Sequence, residues 1–129
     1  IAVDQVELCP ERGLTAEVAL VGALRQDVDV LAVGEIRTVP EAALALQAAH
    51  TGRLVLAGIH AGSAEEATQR MLDLGADPRV LDSTLLAVLH QHLASAACPE
   101  CGGGTCARCR GLGRIRVPVA RRRLPAEAA

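Results

Sequence analysis

The sequence predicts an α/β fold, a parallel sheet with flanking helices, carrying a small cysteine-rich metal module. Three observations support this. Two short, nearly continuous apolar runs at 28–34 and 53–59 have the length and the Val, Leu and Ile content of strands buried on both faces, as parallel sheets require. Helix-capping signals and a 3.6-residue apolar period fill the intervals around them. Four of the five cysteines fall into two Cys-x-x-Cys pairs within residues 98–109.

Composition narrows the function classes. The 129 residues suffice for one compact core with an appendage. Half of them are hydrophobic, yet Phe, Tyr and Trp are absent, so the core must be built from Leu, Val, Ile and Ala. Stacking on nucleotide bases is thereby excluded, and no direct nucleic-acid partner is expected. No apolar run approaches the roughly 18–20 residues of a membrane-crossing helix, and no leader pattern opens the chain, so a cytoplasmic protein is expected. Residues 1–97 carry 6 Arg against 13 Asp and Glu, whereas residues 98–129 carry 7 Arg against 2 acids. This basic end reads either as a solvated tail or as a surface for an acidic partner or lipid headgroups. All 13 cationic residues are Arg, and the first residue is Ile1 rather than Met, which reads as a piece of a longer polypeptide.

The elements follow in order. Gly13 breaks an extended opening segment, and Thr15 is placed to cap a helix over 16–26 with Ala16, Ala19, Leu20, Ala23 and Leu24 on its apolar face. The strand at 28–34 comes next, with Glu35 and Arg37 just past its C-terminal end. Thr38 and Glu41 stand at capping-box spacing for a helix to Ala49 that is apolar nearly all round. Thr51-Gly52 ends it, and the strand at 53–59 leads to His60. Strand, helix, strand implies a parallel, right-handed crossover. Ser63 and Glu66 repeat the capping box before a helix to Leu74, which Gly75 stops. Leu81, Leu85, Val88, Leu89 and Leu93 mark a last amphipathic helix, ending near Ala97 and carrying His90. Three regions result: a core over 1–97, a tetracysteine module over 98–116 and a basic flexible tail over 117–129 that contains Arg121, Arg122 and Arg123.

Ligands of open parallel sheets collect beyond the carboxyl ends of the strands, which nominates Glu35 with Arg37, and His60. A carboxylate there can support a Mg²⁺-bound water or polarise an attacking one, as nucleoside triphosphate hydrolysis demands. An ordinary surface ion pair explains the same residues equally well. The cysteines speak more directly. Cys98-Pro99-Glu100-Cys101 and Cys106-Ala107-Arg108-Cys109 each present two thiolates to one tetrahedral ion, the arrangement of a structural Zn²⁺ site, and the glycines of Gly102-Gly103-Gly104-Thr105 permit the tight link. A redox pair is the alternative. Cys9, beside Pro10, reads as a spectator thiol, and His50 as a residue satisfying a helix end.

The run Val30-Leu31-Ala32-Val33-Gly34-Glu35-Ile36-Arg37, preceded by Leu24-Arg25-Gln26-Asp27-Val28-Asp29, resembles the Walker B region of type II secretion and type IV pilus-assembly motor ATPases. Thr51-Gly52-Arg53-Leu54-Val55-Leu56-Ala57-Gly58-Ile59-His60 resembles the His box of that family, and Met71-Leu72-Asp73-Leu74-Gly75 and Gln91-His92-Leu93 fit further downstream stretches. The resemblance implies part of a RecA-like P-loop ATPase core. In the family it works as a homo-oligomer, a cytoplasmic hexamer peripheral to the inner membrane that engages secretion or pilus platform proteins. It implies Glu35 as the Walker B acid and His60 as a residue near the γ-phosphate, with Arg25 and Arg37 as charge-sensing or transition-state-stabilising candidates. It also supports zinc at Cys98, Cys101, Cys106 and Cys109, because secretion and extension motors carry a tetracysteine arm at this place.

The departures matter as much. A chain without Lys cannot supply the Gly-x-x-x-x-Gly-Lys phosphate cradle, so ATP and Mg²⁺ are expected only together with a further, P-loop-bearing half. Arg53 replaces the first His of the His box, and His92 stands where the family has Arg. These changes leave a second reading open, a non-catalytic zinc-bearing assembly module. Residues 106–113 also resemble the Cys-x-x-Cys-x-Gly-x-Gly zinc repeat of DnaJ-type co-chaperones, but only one copy is present.

Overall fold

The computed structural model describes residues 3–123. They divide into two compact units, one ending at Leu86 and one beginning at Ala87.

The first unit opens with a 3-10 turn over Pro10–Arg12 and then helix α1, Ala16–Leu24. Thr15 caps α1 by accepting the Val18 N–H on Oγ1 at 3.3 Å. Strand β1 (Val30–Val33), helix α2 (Val39–His50) and strand β2 (Leu54–Ala57) form the expected crossover. The two strands pair in parallel, with Val30 opposite Leu54 and Val33 opposite Ala57. Helix α2 begins where Glu41 accepts the N–H groups of Thr38 (3.0 Å) and Arg37 (2.7 Å), relieving two donors that the helix start would leave unpaired.

Alanine lets α2 close on the sheet. Ala42, Ala45 and Ala48 are buried at three-residue spacing, and the core gathers Ile36, Ala42, Ala45 and Leu74 with Val33, Val55 and Met71 packed around them. Only one face of the β1–β2 pair is covered by this core. Val30, Leu54 and Leu56 on the other face stay about half exposed. The expectation of burial on both faces is therefore corrected.

Helix α3 (Ala64–Asp73) starts as the capping pattern requires: Ser63 Oγ accepts the Glu66 N–H at 3.2 Å, and the Glu66 carboxylate reaches back to the Gly62 N–H at 2.8 Å. Helix α4 (Pro78–Thr84) is capped by Asp77, which accepts the Arg79 N–H at 2.8 Å. The last helix was expected to reach Ala97, but α4 ends at Thr84, whose hydroxyl turns back onto the Val80 carbonyl at 2.7 Å. Strand β3 (Val88–Ala97) takes over, so His90 and His92 lie on a strand.

The second unit explains that switch. Strand β4 (Arg114–Arg123) pairs antiparallel with β3, Ala97 opposite Arg114 and Val88 opposite Arg123. The apolar spacing of 81–93 suits a helix locally, but a ten-residue partner strand supplies ladder hydrogen bonds that a lone helix end cannot match. Residues 117–123, expected as a loose tail, are thus ladder backbone, while the expected tail's residues 124–129 lie outside the described residues. The cysteine module is the loop of this hairpin.

Close packing of the β1–β2 pair predicts an asymmetry between two glycines. A Cβ on Gly58 would lie 2.2 Å from the Gly34 carbonyl oxygen, whereas one on Gly34 meets nothing within 4 Å. Gly58→Ala is expected to cost roughly 1–3 kcal/mol in urea unfolding and Gly34→Ala much less. Equal midpoints for the two variants would contradict this packing.

Candidate functional site

Glu35 and His60 follow adjacent parallel strands, and the backbone fixes their spacing. The Gly58 N–H donates to the Val33 carbonyl at 3.1 Å and the Ile36 N–H to the Gly58 carbonyl at 2.9 Å, carrying the parallel ladder past both strand ends. Ile36, 3 % exposed, is anchored in the core. Its neighbour Glu35 is thereby held at the strand tip, where Arg37 Nη2 donates to its Oε2 at 2.5 Å. The Glu35 carboxyl is held below its ordinary range first by that hydrogen bond. The charges of Arg37 and His60 act in the same direction, and partial desolvation opposes them. Arg37 is pushed up correspondingly by Glu35. Both side chains are solvent-accessible, so this pair contributes little to stability. Its meaning is electrostatic: an acid that stays ionised, with a guanidinium on one oxygen and an imidazole near.

Arg25 does not join this cluster. It ends α1, and the carbonyl before it, on Leu24, accepts from Arg53 Nη2 at 3.3 Å. Arg53 immediately precedes β2, so Arg25 lies at the N-terminal end of the strands and Glu35 and His60 at the other. Arg53 itself is a clamp missed by sequence reasoning: its Nη1 donates to Thr51 Oγ1 at 2.8 Å, while its Nε is buried without a partner.

The four cysteines come together in one volume. Cys98 and Cys109 are buried, Cys101 and Cys106 half-buried. The Sγ atoms lie 3.6 Å apart for Cys98 and Cys106, 3.8 Å for Cys101 and Cys109, and 3.7 Å for Cys106 and Cys109, and all four fall within 4.8 Å of one another. Metal–sulfur bonds of about 2.3 Å in a tetrahedron give sulfur–sulfur edges of about 3.8 Å, so the donor set fits a four-coordinate thiophilic ion.

The two knuckles share a backbone path. Gly102 and Gly103 follow the first pair with φ of 58° and 107°, and Arg110 and Gly111 follow the second with 51° and 79°. Each pair is closed by an N–H three residues past its second cysteine, Gly104 to Cys101 at 2.9 Å and Leu112 to Cys109 at 3.0 Å. The Cys98 N–H donates to the Gly113 carbonyl at 2.9 Å, locking the module to the hairpin. Four thiols this close cannot all ionise alone. Desolvation, with its neighbouring thiols, pushes Cys101 up to about 12. Desolvation also acts to raise Cys109, but hydrogen bonds from the backbone at Cys106 and Gly113 and from the neighbouring thiols outweigh it and bring Cys109 to about 6. Cys9 lies apart, its thiol 3.5 Å from Glu11 Oε2.

Comparison with known proteins identifies the family. The type II/IV secretion system protein family matches residues 2–124. The chain belongs to this family. Among relatives within it, the type II secretion system protein E of Aeromonas hydrophila is 45 % identical over 97 residues, covering 75 % of this chain and 18 % of the relative. The type IV pilus assembly ATPase PilB of Thermus thermophilus is 39 % identical over 99 residues, covering 77 % of this chain and 11 % of PilB. The crystal structure of the pilus retraction motor PilT with bound ADP superposes with a TM-score of 0.68 at 28 % identity, over 88 % of this chain and 31 % of PilT. The chain spans about a fifth of the length of its secretion-system relatives. The parallel sheet with flanking helices is thus the fold of this family's ATPases.

Two outcomes test these geometries. In Arg37→Gln, the Glu35 carboxyl is expected to titrate at higher pH, followed by carbon-detected NMR. Whatever stability its depressed titration lends is present above the ordinary carboxylate range and lost as pH falls through its folded value. An unmoved Glu35 would refute the pairing. At the cysteines, Gly113→Ala places a Cβ 2.3 Å from the Gly103 carbonyl oxygen and should abolish metal retention measured by elemental analysis, as Cys101→Ser with Cys106→Ser should. Retention of one ion per chain in either variant would refute the site.

Proposed function

We propose that this chain is the water-activating part of a motor ATPase that couples ATP hydrolysis to pseudopilin or pilin assembly. The observation that supports the reading is that Glu35 and His60 follow adjacent parallel strands, in a chain whose relatives are named as secretion and pilus-assembly ATPases. Glu35 is the Walker B acid, ionised at neutral pH and oriented by Arg37, where it supports a Mg²⁺-bound water or polarises an attacking one. His60 faces the terminal phosphate. Arg37, with its planar set of donors, neutralises charge that develops there. Arg25 is the weaker charge-sensing candidate, since it stands at the far end of the strands. The phosphate cradle comes from a different stretch of polypeptide, because this sequence contains no Lys.

Zinc is the ion proposed for Cys98, Cys101, Cys106 and Cys109, on the strength of four sulfurs within 4.8 Å of one another, the Cys98–Cys106, Cys101–Cys109 and Cys106–Cys109 pairs at 3.6, 3.8 and 3.7 Å. Bound there it supplies a structural cross-link and no chemistry. The assembly is read as a hexamer in the cytoplasm, held at the inner face of the membrane by platform proteins. None of the described helices is long and apolar enough to cross a membrane, which accords with peripheral attachment.

One observation favours a second reading, a non-catalytic zinc-bearing assembly module. Arg53, in place of the first His of the His box, is engaged with Leu24 and Thr51 and turned to holding α1 against β2.

A chimera separates the two. Residues 1–129 replace the corresponding segment of a type II secretion ATPase that retains its own phosphate cradle. Mg²⁺-dependent ATPase activity is expected, falling about 10²-fold or more in Glu35→Gln. A folded, oligomeric chimera without activity would favour the module, and robust hydrolysis by residues 1–129 alone would overturn the division of labour.

A further inference from the structure

The turn from helix to strand over Val88–Ala97 changes what His90 and His92 can do together. On a helix, residues two apart point about 200° away from each other, and imidazoles at that spacing share no ligand. On β3 they stand on one face of the strand. The ladder with β4 fixes them there, His92 opposite Val119 and His90 opposite Arg121. The two rings lie against each other, with centroids 5.6 Å apart and planes inclined by 25°. His90 is half-buried and His92 exposed, so the pair is anchored at one end and open to solvent at the other.

That spacing suits a single ion. Metal–nitrogen bonds of about 2.0–2.1 Å put an ion about 3.2 Å from the centre of each ring it binds, so two imidazoles at a tetrahedral angle stand about 5.2 Å apart. The observed separation lies within a fraction of an ångström of that value. The torsion about each Cβ–Cγ bond is soft, so aiming both nitrogens at one point costs little.

We propose that His90 and His92 chelate an exchangeable divalent ion of the late first transition row, Ni²⁺, Cu²⁺ or Zn²⁺. The site is separate from the thiolates, since about 20 Å of extended strand runs from His92 to Cys98 at about 3.3 Å per residue. Ligand type selects the class: imidazole suits these ions, whereas Mg²⁺ takes carboxylate, carbonyl and water oxygens. Val119 and Arg121, the residues opposite, are of types that ligate no metal, which leaves the remaining coordination positions to water. Two protein ligands and open positions make the ion exchangeable, unlike one enclosed by four thiolates. Binding has a structural consequence as well. The apolar spacing of residues 81–93 suits a helix, and an ion that chelates the pair only in the extended form draws the segment toward β3.

Equilibrium dialysis of zinc-loaded residues 1–129 against Ni²⁺, with both metals counted by elemental analysis, tests this. One Ni²⁺ per chain is expected in addition to the zinc, and no Mg²⁺ in a parallel dialysis. His90→Gln and His92→Gln should each weaken nickel binding about tenfold or more, since even the outer-shell partners of a ligand are worth that much. His50→Gln, on α2, should leave it unchanged. Exchanging two exposed neighbours, Gln91→His with His92→Gln, keeps the number of imidazoles but moves one to the other face of β3, and should abolish the extra nickel. Undiminished zinc in each variant shows that the hairpin is folded. Nickel uptake only at the expense of zinc, binding insensitive to His92→Gln, or full binding after the exchange would each overturn the proposal.

Discussion

One backbone contact governs the first unit: the close approach of Gly34 and Gly58, bridged by the hydrogen bond from Ile36 to Gly58. It extends a four-residue parallel ladder beyond its last paired side chains. Ile36 points into the core as a consequence, and Glu35 must face outward beside the chain leading to His60. A side chain at position 58 would push the strands apart at the place where Glu35 and the chain leading to His60 follow them. Precise placement is thereby built from backbone, which suits a core of alanine and short aliphatics that offers little side-chain bulk to hold a site rigid.

The second unit obeys a different constraint. A two-stranded hairpin is marginal by itself, and this one encloses a loop rich in glycine with few apolar contacts. A cross-link at the loop offsets that weakness, since metal affinity at a site absent from the unfolded chain becomes folding free energy. The repeated left-handed turns after each Cys-x-x-Cys pair bring two sulfur pairs face to face within sixteen residues of loop, from Cys98 to Gly113. Arg110 adopts there a conformation that glycine holds in the first knuckle, a cost accepted in the half whose outward side chains carry charge.

Much of this was legible in the sequence. Capping residues Thr15, Thr38, Ser63 and Glu66 gave helix starts because their signals are local, and Cys-x-x-Cys spacing is local too. That Glu35 and His60 follow neighbouring parallel strands could be read from strand order alone. What escaped was non-local. The apolar spacing of Leu81, Leu85, Leu89 and Leu93 satisfies a helix, and only the partner strand at 114–123 decides otherwise. Arg25 was named a site residue through the family resemblance, and the contact from Arg53 to the Leu24 carbonyl sets its neighbourhood at the start of β2. Half-exposure of β1 and β2 was equally invisible, since composition describes what a strand can bury and says nothing of what arrives to cover it.

Gathering four sulfurs within 4.8 Å in a protein without a single Phe, Tyr or Trp has a practical result. Such a chain is almost blind in the near ultraviolet, and its folding would be hard to follow by absorbance or intrinsic fluorescence. Cobalt in the thiolate cluster would give it colour in the visible range, confined to the hairpin. The loss of that colour would clock the opening of the arm separately from the melting of the sheet that carries the acid and the imidazole.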